Sequence, residues 1–126
     1  TEELSNFCGQ CHRTWAQIQL EGHFGITDVR YQPYRLTNSK CYDAEDSRIS
    51  CVSCHDPHAE IHRNAASYDA KCQACHGGGK PEAKACPVAK SNCVSCHMPQ
   101  IAIPGSHSRI SDHQIRIVRA HAAYPN

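Results

Sequence analysis

The chain has 126 residues, the length of one small domain, and Leu, Ile, Val and Phe together supply only 19 of them. That is less apolar material than an ordinary core contains, which excludes a self-sufficient fold built from side chains alone. Thirteen Lys and Arg against twelve Asp and Glu give a formal charge of +1 with no basic run, which argues against a nucleic-acid partner, and no apolar stretch is long enough to span a membrane.

In chain order, Thr1 followed by Glu2 and Glu3 predicts a helix start with an N-cap and an acidic first turn. Leu4, Phe7, Cys11, Trp15 and Ile18 recur at helical spacing, so one helix is expected to about Leu20, ended by Gly22. From Gly22 to Ser50 periodicity is weak. Val29, Tyr31 and Tyr34 allow a short extended piece, Pro33 argues against a central strand, and a wrapping segment is expected. Asp56-Pro57 opens a turn or short helix that would place His58 and His62 on one face. Ser67 is expected to cap a helix from Tyr68 to His76, stopped by Gly77-Gly78-Gly79. Pro87 is expected to start a helix that runs on to Pro99. The tail from Ile101 is irregular, with Asp112–Arg119 reading as a short strand or a final turn.

Four copies of one motif lie across these elements: Cys8-Gly9-Gln10-Cys11-His12, Cys51-Val52-Ser53-Cys54-His55, Cys72-Gln73-Ala74-Cys75-His76 and Cys93-Val94-Ser95-Cys96-His97. The last three follow one another every 21 residues. Cys-x-x-Cys-His is the attachment signature of c-type haem. Two thiols three residues apart on a helical turn can each reach one vinyl group, and the following histidine reaches the iron as proximal ligand. Paired cysteines also build zinc ribbons, but zinc does not require the histidine. At the chain's histidine frequency, four in a row by chance is an event of about one in twenty thousand. No third cysteine follows any pair at ferredoxin spacing, which argues against iron–sulfur ligation. Four covalent haems c are expected, on Cys8, Cys11, Cys51, Cys54, Cys72, Cys75, Cys93 and Cys96, with His12, His55, His76 and His97 proximal.

Four macrocycles would supply the missing apolar material, and their propionates would make the assembled protein acidic. Haem is attached outside the cytoplasm, so the chain is expected to be exported, to the periplasm or the cell surface of a prokaryote, with an export signal removed ahead of Thr1. Cys41 and Cys86 remain, and a disulfide between them is the one intrachain pairing left once all four haems load.

Six histidines are left as candidates to close the irons: His23, His58, His62, His107, His113 and His121. An iron with two protein ligands carries electrons, whereas an open one can bind nitrite, hydroxylamine or peroxide. Six candidates for four positions favour closure. Met98, the one methionine, directly follows a proximal histidine and cannot reach the far side of the same haem. Low-potential bis-histidine haems are therefore expected. His58 and His62 could also hold zinc from a helix face, but no acidic residue stands in the general-base position of a metalloprotease.

His97-Met98-Pro99, Ile103-Pro104-Gly105-Ser106-His107 and Ser111-Asp112-His113-Gln114-Ile115-Arg116 resemble the C-terminal signature of multihaem c-type cytochromes. Those are the relatives of pentahaem nitrite reductase, of hydroxylamine-oxidation partners and of extracellular multihaem cytochromes. Gly22-His23-Phe24-Gly25 and Cys54-His55-Asp56-Pro57-His58 resemble that group's ligand-bearing segments, so the likeness covers most of the chain. The resemblance implies distal ligands at His23, His58, His107 and His113, leaving His62 and His121 as surface imidazoles. One departure stands out. Nitrite reductases of the group carry a lysine variant of the motif at the active iron, and all four motifs here end in histidine.

The expected fold is a single domain over 1–126, mostly α with extensive irregular loops, organised around four stacked haems. With one haem per about 31 residues, the haems must touch in a conducting row. The expected function is electron transfer rather than catalysis. Its partners would be other redox proteins or cytochromes, or further copies of the chain in a filament joined through haem contact. The alternative is an oxidoreductase with one open haem acting on small nitrogen or sulfur compounds.

Overall fold

The computed structural model describes residues 2–22, 25–46, 48–77 and 84–125. The chain is partly helical with long irregular connections. Its helices are α1 (Glu2–His12), α2 (Trp15–Glu21), α3 (Gln32–Thr37), α4 (Cys51–Cys54), α5 (Asp69–His76) and α6 (Cys93–His97). Two 3-10 turns, Gly25–Arg30 and Ala65–Tyr68, precede α3 and α5. A two-stranded antiparallel hairpin, β1 (Gln100–Ala102) and β2 (Arg109–Ser111), follows α6, with Ile101 opposite Ile110.

The single N-terminal helix expected to Leu20 is two helices. Arg13 adopts a left-handed backbone (φ 67°) and Thr14 starts afresh. Thr14 Oγ1 accepts from the Gln17 N–H at 3.2 Å, while the Thr14 N–H donates to Gln17 Oε1 at 2.7 Å, a reciprocal capping box. Gly9 permits this break, since a Cβ there would lie 2.5 Å from the Thr14 methyl group. Gly22 closes α2 as expected, at φ 85°. The expected N-cap Thr1 lies outside the described residues, as do Gly78 and Gly79 of the glycine stop. Gly77 does follow α5 as its C-cap.

Five further expectations are corrected. Val29 and Tyr31 to Tyr34 do not form an extended piece; Pro33 sits in the first turn of α3, where its missing N–H costs nothing. The stretch after Asp56-Pro57 is a turn, so His58 and His62 do not share a helix face. Asn64, not Ser67, caps the Ala65–Tyr68 turn through its bond from the Ala66 N–H. No helix runs from Pro87, because Asn92 is left-handed (φ 59°) and α6 begins only at Cys93. In the tail the strand falls at Arg109–Ser111, ahead of Asp112, whose N–H donates instead to Pro99 O at 3.0 Å.

The buried apolar residues among those described are few: Ile18, Val29, Tyr31, Tyr34 and Ile103. Ile18, Tyr31 and Tyr34 form one cluster where α2 meets α3, and α1 packs on α3 beside it. Phe7, Leu20, Ile61, Val88 and Ile117 are exposed, Leu20 to 88% and Val88 to 90%. Two fully buried charges pair with each other. Arg35 donates to both carboxylate oxygens of Asp112, each at 2.9 Å, and to Pro125 O at 2.8 Å. Burial works against the charge on Asp112, but hydrogen bonds from Arg35, the Gln114 N–H and Arg116 hold its carboxyl below the usual range.

A second carboxylate organises the other half. Asp69, first residue of α5, accepts from the N–H groups of Asn92 at 2.6 Å and Cys93 at 2.8 Å, capping α6 from a neighbouring helix. These bonds, Cys93 first, hold its carboxyl below its ordinary 3.8. The stabilisation is therefore fully present above pH 3.8 and is lost as the pH falls through the lower folded value. Asp69→Ala is expected to loosen α6 at neutral pH and to remove this acid transition, read by amide exchange at Asn92 and Cys93 across a pH series.

Candidate functional site: four motif turns and an imidazole pair

Each Cys-x-x-Cys motif occupies a helical turn. Cys8 to His12 forms the end of α1, Cys51 to Cys54 makes up α4, Cys72 to His76 ends α5, and Cys93 to His97 makes up α6. Helical spacing sets the two cysteines of each motif on one face, with the histidine at or just past the helix end. In α4 the turn is supported by Ser50, whose N–H donates to Ser53 Oγ at 3.2 Å.

The motifs are neighbours in sequence order. Cys51 is raised by burial and then by the adjoining Cys8 thiol. Cys72 is raised by burial and then by Cys54, and it also contacts Cys93. Cys93 is pushed up to about 11 by burial and by Asp69 and Cys72. The first motif thus adjoins the second, the second the third, and the third the fourth.

Several imidazoles are oriented by main-chain carbonyls. A carbonyl can only accept, so Nδ1 carries the proton where His76 meets Lys84 O at 3.0 Å and His97 meets Arg116 O at 2.9 Å. The same holds for His113, whose Nδ1–H donates to Ser111 O at 3.0 Å. Each bond leaves Nε2 with a free lone pair, the arrangement that metal-ligating histidines adopt.

Of the expected distal ligands, the structure brings one against a motif histidine. The rings of His113 and His55 lie with centres 6.2 Å apart and planes at 40°. Burial pushes both below the ordinary imidazole range, with His12 close enough to add to the effect on each, so they are held neutral, the ligating form. Tyr68 meets His55 edge-on at 5.6 Å. His58 and His107 are exposed, the first in the turn after α4 and the second in the hairpin connection. Neither stacks on a motif histidine among the described residues. His23 lies outside the described residues. His62 and His121 are exposed.

All ten cysteines are free thiols, so the expected Cys41–Cys86 bridge is not formed in this structure. Cys41 lies near Cys75 and Cys54, while Cys86 accepts from the Ala89 and Val88 N–H groups, which pull its thiol down. Among the described residues no group of three His, Cys, Asp or Glu side chains forms a ready metal cage. A c-type centre asks for something different, two thiols to bond the porphyrin and one or two imidazoles for the iron, and the helical motif turns and the carbonyl-oriented histidines fit that.

Sequence reasoning missed the cleft beside the first motif. About 220 Å³ in volume, it is lined by Cys11, His12, Arg13, Arg30, Tyr31 and Gln32. Arginine reaching back from positions 13 and 30 could be placed there only once Tyr31 and Gln32 were known to start α3. No family model, curated protein or solved structure matches this chain.

Proposed function

We propose that this chain is an exported tetrahaem c-type cytochrome whose work is electron transfer. The observation that carries the reading is the fourfold Cys-x-x-Cys-His motif, each copy on a helical turn that sets its cysteines on one face. The thinness of the side-chain core and the bare Phe7, Leu20, Ile61 and Val88 support it, since large apolar groups bound at the motifs would cover such residues. The cysteine pairs Cys8 and Cys11, Cys51 and Cys54, Cys72 and Cys75, and Cys93 and Cys96 would hold the groups through thioether bonds. His12, His55, His76 and His97 would be proximal ligands. When bound, haem supplies reversible one-electron chemistry at its iron.

The protein's own part is to attach, orient and close. Main-chain carbonyls fix the His76 and His97 rings, and neutral His113 offers a second imidazole. Arg30, and Arg13 whose guanidinium also meets the exposed Glu21 carboxylate at 2.7 Å, bring positive charge beside the first motif, suited to carboxylate substituents. The contiguity of the four motifs supports a single row of centres with its two ends available to partners. Those partners would be other redox proteins or further copies of the chain. No helix among the described residues is long and apolar enough to cross a membrane.

Intact mass spectrometry in acid tests the reading. The expected result is the polypeptide plus four haems, all low-spin by electron paramagnetic resonance. Fewer haems, or zinc in place of one, would refute it. Strong carbon monoxide binding by the reduced wild-type protein would instead favour the oxidoreductase with an open iron.

A further inference from the structure

Resting on that reading, we infer that His55 and His113 ligate one and the same iron from opposite sides, so that His113 closes the centre held by Cys51 and Cys54. With metal–nitrogen bonds of about 2 Å and ring centres about 1.2 Å behind the nitrogen, two imidazoles across one metal have centres about 6.4 Å apart. His55 and His113 stand 6.2 Å apart. A planar stack would lie closer, and the 40° tilt is no obstacle to a shared iron, because two rings on one metal can take any relative twist about their common axis.

The chain holds His113 there from both flanks. On one side Asp112 is locked by the bidentate Arg35, and its N–H is bound to Pro99 O. On the other, Ser39 Oγ accepts from the Ile115 N–H at 2.8 Å and donates to His113 O at 3.1 Å. The ring itself is fixed through Nδ1 on Ser111 O, leaving Nε2 available. Two other assignments fit less well. His12 makes no ring contact with His113 among the described residues, whereas His55 does. His58 follows the second motif so closely that only two residues, Asp56 and Pro57, would have to lead the chain round the edge of the macrocycle.

A non-additivity experiment decides it. His113→Ala in the four-haem protein is expected to turn one iron in four high-spin and to create one new carbon monoxide site. Cys51→Ala with Cys54→Ala should give a three-haem protein, identified by mass, whose irons are low-spin. Adding His113→Ala to that protein is expected to change nothing, because the iron it served is gone. A new high-spin iron there would assign His113 to another centre and overturn the inference, as would a four-haem His113→Ala protein that stays fully low-spin. Should the three-haem chain fail to fold, nuclear Overhauser contacts in the wild type decide the same point. Contacts from the His113 ring to the haem on Cys51 and Cys54 uphold it, and contacts to another haem overturn it. Failure of the functional reading itself is distinct, showing as missing haem mass before any ligand is altered.

Discussion

Made where haem cannot be attached, the chain is expected to be unfolded. Five buried apolar side chains among the described residues cannot offset the ordering of so many others, each of which gives up about 1–2 kcal/mol of backbone entropy. The helices cannot stand alone either, since α1, the longest at 11 residues, is below the length at which isolated helices persist in water. Changing the eight motif cysteines to alanine, leaving Cys41 and Cys86, gives a second route to the same state. Both chains are expected to lose helical circular dichroism and all slow amide exchange, while the loaded protein keeps them. A haem-free chain that unfolds cooperatively would show that side chains alone make this fold.

The second large effect is expected at Arg35. The guanidinium and Asp112 are both fully buried, at 0% side-chain exposure. Arg35→Met would leave the carboxylate facing only Arg116 and the Gln114 N–H, a buried charge without its main counter-ion. Breaking such a pair costs about 3–5 kcal/mol, whereas replacing both partners by apolar groups is often close to neutral. Arg35→Met is therefore expected to lower the denaturation midpoint of the loaded protein sharply, and Arg35→Met with Asp112→Leu to recover much of the loss. A single variant as stable as wild type would show that the pair contributes little.

The local turns were far more legible in the sequence than the path of the chain. The four motifs, their helical turns and the stop at Gly22 follow from local spacing, which needs no knowledge of neighbours. Arg13, Asn92 and the start of α3 did not. Left-handed backbone at Arg13 and Asn92 breaks patterns that read as continuous helix, and the partners that stabilise those breaks lie elsewhere. Asp69 caps α6 from 23 and 24 positions away. Ser39 and Arg35, read as part of a featureless connection, hold the tail across more than 70 positions. Of the six spare imidazoles, pattern alone had no means of separating His113, which is packed against His55, from His107, which is exposed.

The bond from Arg35 to Asp112 reaches across 77 positions, and those positions contain three of the four motifs. A growing chain therefore presents a bare guanidinium on α3 long before its carboxylate arrives. Everything joined to the thiols between Cys51 and Cys96 can be joined while the two ends of that span are still apart. The tail then folds back, with Pro125 O also accepting from Arg35, and fastens both at once. On the proposed reading, Arg35 and Asp112 would act as a clasp, shut after the haems are in place, and opening it would expose them again.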